Sequence, residues 1–148
     1  MPTSRLYTIE RVREIAPYGK IAEFFYQEAP NVEKIFDHRF AWAEFDISSY
    51  ALHHCVWVCL RAGIPVGIMM AQLFPSIWDG KKVLMQNLLY CKKSSGRAAY
   101  LLMKEFIDFG RAEASLVFTM TTKNTNVKEK SLQRLGFKKV EEHFLLEV

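Results

Sequence analysis

The chain has few of the residues that break, staple or anchor a fold. Five prolines and seven glycines in 148 residues leave no Pro-rich or Gly/Ser linker, and no segment repeats another, so a second domain is not expected. Three cysteines, Cys55, Cys59 and Cys91, are an odd number without metal-ligand spacing, which argues against a disulfide framework and a zinc site alike. Cys55 and Cys59 fall in an apolar run and read as packed thiols. No hydrophobic run reaches membrane-spanning length, and Met1-Pro2-Thr3-Ser4-Arg5 lacks the apolar stretch of a secretory leader. A protein of the reducing cytoplasm with no membrane partner is expected. Like-charge blocks are also missing. The net charge of +4 is scattered, apart from Lys81-Lys82, Lys92-Lys93 and the pair Lys128 and Lys130. That is not the stripe of a nucleic-acid binder, and it suits a solvated surface or a local site for an anionic ligand.

What is present is the balance of an ordinary globular domain, 50% hydrophobic and 24% charged. A single domain spanning residues 1–148 buries roughly two-thirds of its unfolded surface by size scaling. Phe, at 11, outnumbers Tyr at 6 and Trp at 3, so the core is expected to be built on large rings. Trp42, Trp57 and Trp78 fall in separate elements and read as core or rim aromatics, not as a stacking platform for bases.

Hydrophobic periodicity gives the order of elements. Leu6 to Val12 alternates as a strand. Glu14 to Ala29 is helical, with Ile21, Phe24 and Phe25 on one face, Pro17 in its first turn and Pro30-Asn31 as its stop. Val32 to Tyr50 is mixed and holds one or two short helices. His54 to Arg61 and Val66 to Phe74 are strands joined by the turn signal Ala62-Gly63-Ile64-Pro65, hence a hairpin. After a loop at Pro75 to Gly80, Lys82 to Cys91 is a further antiparallel strand. Gly96 to Ala114 is then a helix with Leu102, Phe106 and Phe109 on one face. Leu116 to Thr121 is a strand, so the pair it makes across that helix must be parallel. Asn126 to Leu135 is a helix capped by Gly136, and Lys139 to Val148 is a closing strand. The string β-α-α-β-β-β-α-β-α-β describes an α/β domain, a central mixed sheet flanked by helices.

Chemistry concentrates after Cys91. A strand delivers the chain to Lys92-Lys93-Ser94-Ser95, and a helix opens near Gly96. The first turn of a helix has unpaired N–H groups and a positive dipole end. Gly96 lets an anion approach the backbone, Ala98 keeps the next position small, Lys93 and Arg97 add charge, and Ser94 and Ser95 add hydroxyls. These parts suit a diphosphate. The segment is neither G-x-x-x-x-G-K-[ST] nor G-x-G-x-x-G. His53-His54 cannot chelate one ion from a strand, since adjacent side chains point to opposite faces. His38 and His143 stand alone.

Lys93-Ser94-Ser95-Gly96-Arg97-Ala98 resembles the [RQ]-x-x-G-x-[GA] segment of the GNAT acyltransferases, with Lys at the first position. Leu135-Gly136-Phe137 is similar to the L-G-F signature that ends the family's later helix, and it stands at the expected distance. The element order matches along nearly the whole chain. The resemblance implies a GNAT-type acyl-CoA N-acyltransferase fold, acetyl-CoA as co-substrate, an amine as acceptor and no metal. It leaves a homodimer open. It also implies that Asn87 and Leu88 offer backbone groups to pantetheine at a bulge in the strand before the loop. Asn124 or Asn126 is implied as a further CoA contact, although either also reads as a helix cap.

The residues depart from the family where acid and base are concerned. Many members place a Tyr four residues before the Gly of L-G-F as the acid; here that position is Leu132, and Ser131 points about 100° away on a helix. Gln86 stands where a Glu often serves as base. Tyr90 and Tyr100 are candidate substitutes for the acid, and no catalytic residue is assigned. Val32 to Tyr50 and the loop Pro75 to Gly80 are expected to wall the acceptor site. The departures also resemble the small GNAT-like proteins of tailed phages, so a binding or structural protein without turnover stands as the alternative to an N-acetyltransferase.

Overall fold

A computed structural model describes residues 6–13, 19–36, 39, 45–93, 95–121, 127–142, 144, 146 and 148. Five strands, Tyr7–Val12 (β1), Cys55–Arg61 (β2), Ile64–Pro75 (β3), Lys82–Cys91 (β4) and Leu116–Phe118 (β5), form one sheet in chain order. The first three junctions are antiparallel and the last, β4 with β5, is parallel. The turn between β2 and β3 holds Ala62 at φ 50° and Gly63 at φ 79°. Two left-handed residues in succession are what a two-residue I′ hairpin needs, so the expected turn forms even though Ala is a poor residue for it.

Helices cover both faces. Gly19–Phe36 (α1) and Ile47–His53 (α2) pack on one side, where Phe24, Phe25, Val32 and Ile47 meet Val56, Val58, Ile68, Met70, Leu88 and Tyr90. Gly96–Glu113 (α3) and Glu129–Arg134 (α4) pack on the other, where Leu102, Met103, Phe106 and Leu132 meet Trp57, Cys59, Met69, Leu84 and Leu89. Gly110 lets α3 lie close on β5: a Cβ there would fall 2.3 Å from Val117 Cγ2. The α4 helix ends at Gly136, φ 98°, with the Phe137 amide donating to the Leu132 carbonyl and the Gly136 amide to that of Gln133. That is the glycine cap the L-G-F segment led us to expect.

Three expectations are corrected. Pro30 does not stop α1 but lies inside it. Proline forfeits its bond to the Tyr26 carbonyl, a cost of about 3 kcal/mol. Ala29 and Val32, buried on either side of it, carry the apolar face through. The fifth strand is shorter than expected, ending at Phe118. The segment from Lys139 onward forms no strand among the described residues, and Val140, Phe144 and Leu146 are exposed. An alternating segment becomes a strand only when it finds a ladder, and β5 offers just three residues of edge. No helix among the described residues is long and apolar enough to cross a membrane.

Candidate functional site

The junction after β4 has a tight build. Lys92 donates its amide to the Val66 carbonyl at 2.9 Å, and the Ser95 amide returns to the Lys92 carbonyl at 2.9 Å. The Ala98 amide closes the first turn of α3 on the Ser95 carbonyl, also at 2.9 Å. Gly96 and Arg97 are exposed, and their amides have no backbone acceptor among the described residues. They are the free N–H groups that open an 18-residue helix. Among the described residues a Cβ built on Gly96 would meet nothing within 4 Å, and Gly96 is not among the positive-φ glycines. Neither backbone conformation nor packing among the described residues calls for glycine here. Lys93 is exposed beside it.

The other members of the expected segment stand differently. Ala98 is fully buried and belongs to the core under α3. Ser95 is 1% exposed, and its Oγ is buried with no hydrogen-bond partner among the described residues. Its hydroxyl therefore lies beneath the turn and not on its outer side. Ser94, Asn124 and Asn126 lie outside the described residues.

One strand-length away, β4 parts from β5. The parallel ladder runs Val83–Leu116, Leu84–Val117 and Met85–Phe118 and stops there. On the other edge of β4, Ala71 pairs with Gln86 and Met70 with Leu88, so Asn87 is an extra residue without a partner on β3, a β-bulge. From Gln86 onward β4 has no ladder partner on its β5 side among the described residues. Leu88 is buried and paired with Met70.

Side chains close around this gap. Gln86, 7% exposed, accepts a hydrogen bond from the Thr119 hydroxyl across it. The Asn87 amide donates to the Tyr50 hydroxyl at 2.8 Å. Tyr50 ends the segment Val32 to Tyr50 that was expected to wall the acceptor site, whereas Thr119 was not legible as a site residue in the sequence. They reach β4 over 37 and 33 residues of chain, a distance that only the sheet order closes. Burial pushes the Tyr50 phenol above its usual range, against the Asn87 hydrogen bond that lowers it.

The candidate acids are differently placed. Tyr90 donates to Glu28 Oε2 at 2.8 Å on the α1 face, and its pKa is raised by burial and then by that carboxylate. Glu28 also accepts from Asn31 and pairs with Lys92 at 3.5 Å, so Tyr90 is bound into a structural cluster. Tyr100 is 53% exposed on α3. Leu132 is a buried core residue and Ser131 is exposed. The loop Pro75 to Gly80 turns back where Pro75 pairs with Lys82. Lys82 is five residues before the bulge, or about 17 Å along the strand. No metal-binding cluster is found among the described residues.

No family model matches the chain, and no curated protein matches it in sequence. Solved structures do match it in shape. An aminoglycoside acetyltransferase from an uncultured soil metagenomic sample is 14% identical, with a TM-score of 0.68 over 96% of this chain and 98% of that one. AAC(6')-Iy, in complex with a bisubstrate analog joining CoA to an acetylneamine, is 13% identical, with a TM-score of 0.66 over 96% and 97%. The fold is the GNAT fold. A transcriptional regulator of Bacillus halodurans C-125 shares it at 15% identity, with a TM-score of 0.71 over 96% and 99%. The GNAT architecture that the resemblance implied is thus the one observed.

Proposed function

We propose that the protein is an acyl-CoA N-acyltransferase that takes acetyl-CoA as donor and an amine as acceptor. The observation that carries this reading is the parting of β4 from β5. Parallel pairing ends at Met85–Phe118, and the Asn87 bulge follows two residues later. A slot between parallel strands with free backbone groups suits an extended chain carrying amides, which is the chemistry of pantetheine. At the end of that slot, the Gly96 and Arg97 amides, the α3 dipole and the Lys93 and Arg97 charges suit a pyrophosphate. Gly96, unexplained by packing among the described residues, is accounted for by a ligand lying against the backbone. In this arrangement Ser95 and Ala98 support the turn from beneath.

The test is a melting experiment with and without acetyl-CoA on the wild type and Gly96→Glu. Ligand at about 100 times its dissociation constant stabilises the native state by about 2.7 kcal/mol, an upward shift of about 5–11 °C at this size. The expected result is a shift in the wild type that disappears in the variant, with the ligand-free melting temperatures alike. No shift in the wild type at millimolar acetyl-CoA overturns the reading.

A second reading, a GNAT-fold binding protein without turnover, is favoured by specific observations. Leu132 fills core where an acid is often found, Gln86 cannot titrate, and the Tyr90 hydroxyl is committed to Glu28. Consumption of acetyl-CoA in the presence of an amine separates the two.

A further inference from the structure

We propose that the Tyr50 hydroxyl is the hydrogen-bond donor to the thioester carbonyl oxygen of the bound acyl donor, held in place by the side chain of the bulge residue Asn87. The inference rests on the acyl-CoA reading and adds to it a reacting group that stands on α2, far in sequence from the strand that carries the bulge.

Tyr50 is on a helix fixed at its start by Asp46, whose Oδ1 accepts from the Ser48 and Ser49 amides at 3.0 and 3.2 Å. Ile47 and Ala51 bury the inner face of that helix. The Tyr50 ring is packed between Phe45, at 6.0 Å, and His54, at 4.8 Å between centroids. Asn87 Nδ2 then reaches Tyr50 Oη at 2.8 Å. The phenol oxygen is therefore one hydrogen bond from the residue at which β4 has left β5. On the opposite face, the Gln86 and Thr119 side chains span the gap, so the two faces differ: one is bridged, and the other presents Tyr50.

An amide nitrogen only donates, so Tyr50 Oη is the acceptor in its bond with Asn87 and retains its own hydrogen. Among the described residues no acceptor takes that hydrogen. A phenol with its acceptor site filled and its donor free, kept neutral by burial, suits an oxygen that gains negative charge during reaction. The chemistry is an acyl transfer. The amine nitrogen uses its lone pair to form the C–N bond, and the C=O π pair moves onto the carbonyl oxygen, which Tyr50 holds. That pair then returns, the C–S bond breaks and sulfur leaves with its electrons. The proton shed by the nitrogen goes to water, and the thiolate takes one from water, so no further reactant is needed.

The test reads the carbonyl directly and needs no acceptor amine. Acetyl-CoA labelled with carbon-13 at the thioester carbonyl is bound to wild type, Tyr50→Phe, Asn87→Ala and, as a control, Tyr100→Phe. Infrared difference spectra are recorded beside calorimetric dissociation constants. The expected result is a carbonyl band at higher frequency in Tyr50→Phe than in wild type, with affinity weaker by no more than about tenfold. Asn87→Ala moves the band in the same direction by releasing Tyr50, and Tyr100→Phe leaves it in place. Equal bands in wild type and Tyr50→Phe, both with ligand bound, overturn the role of Tyr50 while the acyl-CoA reading stands. Absence of binding to the wild type overturns both. If Tyr50→Phe does not fold, Asn87→Ala decides: an unmoved band overturns the proposal.

Discussion

Replacing Ser95 by alanine separates the stability of the α3 junction from its ligand chemistry. The Ser95 hydroxyl is enclosed without a partner among the described residues, and as N-cap it makes no side-chain bond to the helix, at φ −125° and ψ 49°. An enclosed unsatisfied hydroxyl costs about 1–3 kcal/mol. The usual loss on removing a serine cap, about 0.5–2 kcal/mol, does not arise because the cap bond is absent. Ser95→Ala is therefore expected to stabilise the free protein by about 1–2 kcal/mol, and at roughly 2–4 °C per kcal/mol the melting temperature rises by about 2–8 °C. Because Ser95 is 1% exposed, the increment from saturating acetyl-CoA, about 2.7 kcal/mol at 100 times the dissociation constant, should be unchanged. Urea unfolding of both proteins, with and without ligand, measures the two quantities together. A fall in free-state stability would refute the reasoning, since it would mean that the hydroxyl caps the helix in solution. Loss of the ligand increment would refute the placement of Ser95 beneath the turn.

Three other outcomes are expected. Gly110→Ala drives a methyl into Val117 Cγ2 at 2.3 Å and should cost about 1–3 kcal/mol, read as a lower thermal midpoint; an unchanged midpoint would show that α3 and β5 give way freely. At Glu28, burial raises the carboxyl pKa, but the Asn31 and Tyr90 hydrogen bonds and Lys92 outweigh it, and the net shift is below the ordinary 4.5. A carboxylate with a depressed folded pKa stabilises above its unfolded pKa and loses that contribution as pH falls through the folded one. Wild type should therefore lose more stability than Glu28→Gln between neutral pH and about pH 3, and parallel urea curves across that range would contradict the ion-pair cluster. Burial pushes the Cys55 thiol up, Cys59 to about 11 and Cys91 to about 12, so a thiol-disulfide reagent at pH near 8 should label none of them before unfolding; rapid labelling of the native protein would contradict this.

The parts of the fold that could be read from sequence were those decided by local pattern. Lys82–Cys91 forms a strand with the bounds its apolar run suggested, and a helix opens at Gly96 where the change to a helical period placed its start. Pro30 misled because its local cost is outweighed by Ala29 and Val32, whose burial depends on a sheet formed later in the chain. The closing strand misled for the converse reason: alternation from Lys139 onward is a property of the segment, whereas pairing also needs an edge long enough to receive it. The site divided along the same line. Lys93, Gly96 and Arg97 are contiguous and declared themselves as a loop before a helix. Tyr50 was included only as the end of a segment expected to wall the acceptor site, and Thr119 carries no local signal, since what singles both out is a hydrogen bond to neighbouring residues of one strand.

The extra residue in β4 also sets the parity of everything after it. Before Asn87 the side of the sheet beneath α3 takes even numbers, with Leu84 in that core; after it, the same side takes odd numbers, Leu89 and Cys91, while Leu88 and Tyr90 face α1. Asn87 works as a phase shift of one residue in a pattern of period two. A deletion there would not shorten a loop or trim a surface. It would exchange the linings of the two cores, sending Tyr90 away from Glu28 and Leu89 away from α3. The strand can be lengthened or cut at its ends, but at this point its residue count is fixed by two cores at once, whatever ligand the bulge comes to serve.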